Sequence, residues 1–446
     1  MRAIALIDCN NFFVSCERLR EPQLAGKPVV VLSSNDGCVI SRSNEAKALG
    51  IQMGEPVFMC EQIMRAHNVI KRSASFEFYE DVSHQVMSVL ADVTPDIEQY
   101  SIDEAFMLLH YRGEIEELAE RGQQIREHVL AKAGIPVSVG ISTTKTLAKI
   151  AADFAKKPRH CASDVIASEA KQSPCVAQSL GILRSAQDDE GFAGVCVLGI
   201  ETDNYLKQLA VTDVWGVGRS TAKFLLGYGL RTAYDLKQAN AEWLRAERGI
   251  NGWRLVEELR GHSVLPLDFS DAPNKSIMSS RSFGQKISRL EDLHAAIANF
   301  VSITARRLRA QELCVREITV MLKPHAWEAE SVAASVKLEQ ATDYTATLIA
   351  TARALTEQLY SPGTEYRKAG VLLTNLVANN DMQQSLFTQP ELNEKQSRLM
   401  SALDSINNKF GRGTLEIAST QASQLWQPKR GHTASEAKQK TQDNDR

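Results

Sequence analysis

No stretch of this chain is apolar for long enough to cross a membrane. Its longest apolar runs, Pro28–Leu32 among them, fall far short of the roughly 20 residues that a spanning helix takes. A charged-then-apolar leader is also missing: the sequence enters a strand-like run, Ile4–Ile7, almost at once. A cytoplasmic location is therefore the expectation. The eight cysteines form no C-x-x-C pair and the histidines no cluster of zinc spacing, so the cysteines read as reduced, mostly structural thiols. Internal repeats are absent. The net charge of −3 gives by itself no sign of a nucleic-acid partner.

What is present belongs to ordinary globular protein. Apolar residues make up 43% and charged residues 24% of 446 positions. That suits real cores and, at roughly 150 residues each, about three domains. Charge is unevenly spread. Residues 275–325 carry nine Lys/Arg against four Asp/Glu, a local +5 in an acidic chain. Such a surface is either a phosphate-binding footprint or a solvated helix face.

Patterning places the elements. Residues 1–8 read as a buried strand ending in Asp8, and Val29–Leu32 as a second after Gly26-Lys27-Pro28. Ser43–Leu49 reads as a helix stopped by Gly50, Asp96–Leu109 and Val137–Ile141 as strands, and Thr143–Lys157 as a helix ended by Pro158. In that helix Leu147, Ile150, Ala151 and Phe154 share one side. Lys145, Lys149 and Lys156 lie within about 40° of one another on the other, facing outward towards solvent or a partner. Residues 159–193 have weak periodicity and many small polar residues, which reads as an inserted surface segment. Order resumes at Gly194–Leu198. Residues 211–266 are helical, and 274–378 alternate strands (Ile318–Leu322, Ala333–Leu338, Ala369–Leu373) with helices (Leu293–Leu308, Tyr344–Tyr360), an α+β pattern. The polar last 35 residues read as loose.

Two acidic spots carry chemistry. Asp8 closes an apolar run, and a buried carboxylate there is costly unless paired or holding a metal. Asp103 and Glu104 sit inside YSIDEAFMLL, residues 100–109. Neighbours in a regular strand point to opposite faces, so one site can hold both only if the strand bulges or ends there. Three converging carboxylates make a Mg²⁺ site, and a pair of such ions serves in-line phosphoryl transfer. Helix caps or surface acids are the plain alternative. Further on, VWGVGRSTAK (214–223) has the form of a helix, a Gly-x-Gly turn at Gly216 and Gly218, and a new helix bearing Arg219 and Lys223. Both glycines permit positive φ, and free amides at the second helix start then face a phosphate without reading sequence.

The wording of several segments is more specific. DCNNFF (8–13), GKPVVVL (26–32), NDGCVI (35–40), NEAKALG (44–50), YSIDEAF (100–106), DVWGVGR (213–219), SRSFG (280–284), ASVKL (334–338), YRKAGV (366–371) and GRGTL (411–415) resemble, in that order, the Y-family DNA polymerases, and among them the UmuC branch. The resemblance leaves out little beyond 159–193 and the extreme C-terminus. It implies an α+β, multidomain right-hand polymerase. The palm (1–30 and 76–204) is an antiparallel sheet plus helices. The fingers (31–75) are small, the thumb (205–268) is helical with a helix–hairpin–helix, the little finger (269–378) is α+β, and a tail covers 379–446.

The resemblance also implies residue roles. Asp8, Asp103 and Glu104, with the Cys9 backbone carbonyl, hold two Mg²⁺ ions. Phe13 is the steric gate against a 2′-hydroxyl, although the tandem Phe12 leaves open which of the two it is. Lys156 contacts the triphosphate, and Lys47 has a similar task. Gly216, Gly218, Arg219, Lys223 and Arg281 meet DNA, and Gln383, Leu386 and Phe387 form a peptide for the β sliding clamp. The implied activity is error-prone translesion synthesis in the SOS response to DNA damage, on primer–template DNA and dNTPs, with a processed UmuD dimer and RecA as further partners. Two other classes stay open on the residues alone: a two-metal nuclease, and a DNA-binding accessory inactivated by the insertion that begins three residues after Lys156.

Overall fold

The computed structural model describes residues 1–156, 194–199, 202–269, 274–326, 328–379, 390–411, 413–420, 423 and 425–433. The sequence-derived insertion at 159–193 and the clamp peptide with Gln383, Leu386 and Phe387 lie outside them. The chain divides into two compact units, residues Met1–Leu32 with Cys38–Ser270, and Ser33–Gly37 with Asp271–Arg446. Among the described residues, no helix is long and apolar enough to cross a membrane.

The first unit is built on a five-stranded sheet of order β5-β6-β1-β7-β8, with β1 Arg2–Cys9, β5 Ile97–Gln99, β6 Glu104–His110, β7 Val137–Ser142 and β8 Val195–Val197. Its pairs are antiparallel, as expected of the palm, except β7–β8, which is parallel. Alternation along β1 assigns its faces. Ala3, Ala5, Ile7 and Cys9 join the main core, whose helices include α1 (Phe12–Arg20), α4 (Phe76–Ala91) and α5 (Ile115–Ala133). Ile4 and Leu6 face the other way, with Phe106, onto Ala148 and Ala152 of α6 (Lys145–Ala155). Asp8 shares that second face by the same alternation.

Seating α6 takes two devices. Gly140 of β7 pairs with Leu6 in register, and a Cβ there would run into the Ala152 amide and the Ala148 carbonyl. The glycine lets helix backbone lie directly on strand backbone. Gly140→Ala therefore lowers the unfolding free energy of this unit by about 1–3 kcal/mol or more, read as an earlier denaturant midpoint. The second device is Glu258. Its carboxylate, fully buried, accepts from the Thr146 amide at 3.1 Å and from the Val264 and Leu265 amides at 2.9 and 3.0 Å, while its carbonyl accepts from Thr144 Oγ1 at 2.9 Å. Thr144 in turn caps the helix by accepting from Leu147. An anion at a helix N-terminus satisfies free amides and opposes the positive end of the helix dipole.

A smaller sheet, β3-β2-β4, holds β2 Val29–Leu32, β3 Val39–Arg42 and β4 Ile70–Ser73, with α2 (Asn44–Ala48) and α3 (Val57–Ala66) beside it. The buried pair Arg72–Glu21, at 2.8 Å, ties it to the chain following α1. The helical region of this unit comprises α7 Thr202–Gln208, α8 Arg219–Gly227, α9 Ala233–Gln238 and α10 Ala241–Leu259.

In the second unit a four-stranded antiparallel sheet runs β11-β10-β12-β9, with β9 Ile277–Ile287, β10 Leu313–Pro324, β11 Val332–Thr342 and β12 Tyr366–Ala378. Its core is shared with α11 (Leu290–Ala310) and α12 (Thr345–Leu359). The expected looseness concerns the last 35 residues or so; among those described, Trp426 is buried, and a helix precedes them. Helix α13 (Pro390–Phe410) is joined to α11 by Arg309, whose guanidinium grips Asp404 at 2.6 and 2.9 Å. Trp426, 3% exposed, sits edge-on to Phe300 at 5.5 Å. One apolar side chain in a polar stretch is invisible to a periodicity search and is enough to pin the chain.

Candidate active site

The strand that carries Asp8 and the strand that begins at Glu104 are neighbours, and Asp8 stands opposite Glu104 in register. Strand β6 begins only at Glu104. Asp103 belongs to the loop before it, so the strand ends where the sequence demanded. The loop is closed by the Tyr100 and Ser101 amides, both donating to the Glu104 carbonyl, and is stitched to β1 by the Cys9 amide donating to the Asp103 carbonyl at 2.9 Å. All three acids are thus fixed to one end of the sheet. Asp8 and Glu104 meet directly. The Asp103 carboxylate accepts from Ser101 Oγ at 2.6 Å. Among the described residues, no three His, Cys, Asp or Glu side chains close tightly enough to enclose an ion.

The lysine side of α6 turns out to face these acids, which corrects the outward orientation expected for it. Lys156 Nζ lies 2.5 Å from Asp8 Oδ2, Lys149 Nζ lies 2.7 and 2.6 Å from the two Glu104 oxygens, and Lys145 Nζ is buried on Glu98 and the Pro266 carbonyl. The helix is therefore covered on both sides. Burial pushes the Asp8 carboxyl up to about 7, with the adjoining Glu104 carboxylate adding to the push and Lys156 opposing it. Glu104 is also buried, yet the hydrogen bond from Asp8 and the Lys149 ammonium hold it below the ordinary range. Burial works against a charged Lys156, but Asp8, with Asp153 and Glu104, keeps its pKa above the usual value. The two carboxyls of the pair are thus pushed in opposite directions, Asp8 up by burial and Glu104 down by its hydrogen bonds and lysine.

Phe12 and Phe13 part company at the start of α1. Phe12 is 3% exposed, inside the main core. Phe13 is half-buried and stacks on Tyr79. Lys47 sits on an exposed position of α2. Lys149 is the residue that sequence reasoning left without a role. Its position with Lys156 on one helix face was the signal.

At the helical hairpin, α8 begins at Arg219 as expected, but only a short 3-10 turn, Val211–Asp213, precedes it. Gly216 has φ +90°, whereas Gly218 has φ −79°, so one glycine, not two, uses left-handed backbone. Trp215 docks this turn beside the acid loop, its Nε1 donating to Tyr100 Oη at 3.2 Å with the rings 5.5 Å apart. Arg219 and Lys223 are exposed. The basic segment 275–325 spreads over β9, α11 and β10, and part of it is spent internally. Arg309 holds Asp404, Lys286 pairs with Glu365 and Arg289 with Glu291. On the sheet, a shallow cavity of about 450 Å³ is lined by Ser280, Ser282, Lys323, Arg367 and Lys368, among others.

Two models of one family match in the same order as these units: the impB/mucB/samB family over residues 7–153 and its C-terminal domain over 274–386. Protein UmuC of Salmonella typhimurium is 35% identical over 430 residues, covering 96% of this chain and 95% of that protein.

The chain belongs to the impB/mucB/samB family. Other relatives of this family include Protein ImpB of Salmonella typhimurium, 33% identical over 96% of this chain and 95% of its own length. DNA polymerase IV of Desulfatibacillum aliphaticivorans is 30% identical over 92% and 95%. Among solved structures, the Y-family DNA polymerase chimera Dbh-Dpo4(243-245)-Dbh superposes with a TM-score of 0.65 at 22% identity, over 84% of this chain and all of that one. An insertion ternary complex of Dbh DNA polymerase gives 0.54 at 21% identity, over 84% and 100%. The fold is that of the Y-family polymerases. Residues 397–436 match a further domain of unknown function, DUF4113, the stretch that includes Asp404 and Trp426.

Proposed function

We propose that this DNA-directed DNA polymerase of the impB/mucB/samB family performs error-prone translesion synthesis in an SOS-type damage response, with Asp8, Asp103 and Glu104 as its catalytic carboxylates. The observation that carries the reading is the meeting of Asp8 and Glu104 in register, with Asp103 bound to the same strand end. The donors are hard oxygens, the Cys9 carbonyl among them, and Asp8 and Glu104 stand opposite each other at one strand end with Asp103 tied to it, a donor set that fits magnesium. Two Mg²⁺ ions, when bound, lower the pKa of a primer 3′-hydroxyl and steady the departing pyrophosphate.

The chain's own groups supply the rest. Lys156, one-third exposed, is the ammonium best placed to leave Asp8 for a triphosphate, while Lys149 stays on Glu104 and orients it. Phe13, with Phe12 withdrawn into the core, is the gate beneath the sugar. Lys47 has a triphosphate-binding role on α2. The exposed turn at Gly216, Gly218, Arg219 and Lys223, together with Arg281 on β9 and the cavity lined by Ser280, Ser282, Lys323, Arg367 and Lys368, grip the duplex backbone. We extend the proposal to the partners that the resemblance implies: a processed UmuD dimer, RecA, and the β sliding clamp through Gln383, Leu386 and Phe387.

A labelled primer–template with dNTPs and Mg²⁺ tests this reading, and the primer is expected to lengthen. Shortening assigns a nuclease, and a mobility shift without extension assigns an accessory; either result overturns the proposal. Lys223→Ala is expected to weaken primer–template binding severalfold on every sequence alike, and to reduce the slope of log affinity against log salt by about 1, as loss of one phosphate contact does. Titration at several salt concentrations measures it.

A further inference from the structure

Beneath Phe13 lies an arrangement that the reaction described above does not use. Phe13 and Tyr79 are stacked, with centroids 4.7 Å apart and planes at 19°. Phe76 stands edge-on to both, at 5.9 and 6.2 Å. Tyr79 is fully buried, and its hydroxyl donates to Glu17 Oε1 at 2.7 Å. Glu17 is itself only 1% exposed. A carboxylate buried that deeply is costly unless a hydrogen bond holds it, so its presence asks for a purpose.

The geometry supplies one. Phe13 and Glu17 lie four residues apart on α1 and so share a helix face. Phe76 and Tyr79 come from the first turns of α4. The Tyr79–Glu17 bond therefore clasps the two helices at the level of the Phe13 ring, and it fixes the plane on which that ring rests. Burial, with Glu17 alongside, holds the Tyr79 phenol far above its ordinary pKa, so it remains a hydrogen-bond donor across the working pH range. A ring that excludes a 2′-hydroxyl by contact works only if its height and tilt are constant to a fraction of an ångström, because an aromatic face that can recede makes room for one oxygen.

We infer that Glu17 is a positioning residue for sugar selection: acting through Tyr79, it holds the Phe13 ring in place and so sets how strongly ribonucleotides are excluded. The inference rests on the reading of Phe13 as the gate.

The test uses the full chain and measures kcat/KM for dCTP and for CTP opposite template dG, with a melting temperature for each variant. Glu17→Leu and Tyr79→Phe are expected to lower the dCTP/CTP selectivity about five- to tenfold, through better use of CTP. A purely structural defect lowers both substrates together. Glu17→Gln still offers Tyr79 an acceptor and is expected to keep the selectivity. Phe13→Ala serves as the reference and loses most of it. If Phe13→Ala loses selectivity while Glu17→Leu and Tyr79→Phe keep it, the positioning role is overturned and the gate stands. If Phe13→Ala keeps it, the gate reading fails and the inference goes with it. Should Glu17→Leu fail to fold, Tyr79→Phe, which removes a single oxygen, decides alone.

Discussion

Asp8→Asn is expected to reduce primer extension by roughly 10³-fold or more while leaving the melting temperature within a few degrees of the parent protein. The two halves of this result have different causes. Asparagine has the size of aspartate but cannot supply a charged oxygen to a divalent ion, and the several kcal/mol of transition-state stabilisation that such an ion gives is worth about three orders of magnitude in rate. Stability responds differently because Asp8 is a buried carboxyl whose ionisation burial opposes. A neutral amide removes that cost. The partner left behind, Lys156, is one-third exposed and can turn its ammonium to water, so no buried charge is stranded. Single-turnover extension and thermal unfolding on one preparation measure both. Retention of activity within tenfold would remove Asp8 from the chemistry.

Trp426→Ala is expected to cost the second unit about 3–5 kcal/mol, the usual range for emptying a buried aromatic position. The side chain is 3% exposed, meets Phe300 edge-on, and donates from Nε1 to the Ser423 carbonyl at 2.8 Å. Its loss opens a cavity against α11 and frees the chain that packs with it. Because the molecule has two compact units, equilibrium unfolding is expected in two steps, with the second unit's step moved to lower denaturant and the first unit's unmoved. An unshifted midpoint would mean that residues 425–433 do not hold that surface. The same measurement gives the DUF4113 stretch a physical role, bracing the sheet-and-helix unit, independent of any partner.

The sequence is legible where a pattern has one structural solution. An apolar run closed by Asp8 marks β1, which runs one residue further to Cys9, and two adjacent acids fit one site only if their strand bulges or ends; of these the structure has the strand end, the expected strand at Asp96–Leu109 being broken before Glu104. The helix at 145–155 is equally plain. What alternation and helical period cannot give is the identity of the covering surface. Helical period alone turns the lysine side of that helix outward, yet its partners are Glu104 and Asp8, 45 and 148 positions away. Strand β9 escapes a pattern search because serines, an arginine and a glycine interrupt its alternation. The C-terminal residues look loose in composition because an average cannot register one tryptophan. Lys149 and Glu17 are hidden for a related reason: each matters through a contact that only the tertiary structure creates.

Glu258 bears on how inactive variants will be diagnosed. In sequence it belongs to α10, among the helices that follow the turn proposed to grip DNA, and a lesion there invites the conclusion that the protein has lost its hold on the duplex. Its four hydrogen bonds say otherwise. They run to Thr144, Thr146, Val264 and Leu265, and two of them seat the helix that delivers Lys149 and Lys156 to the acids. A geneticist mapping phenotypes onto linear domains would file such a mutant under binding, when the damaged part is the mounting of the helix that meets the proposed catalytic acids.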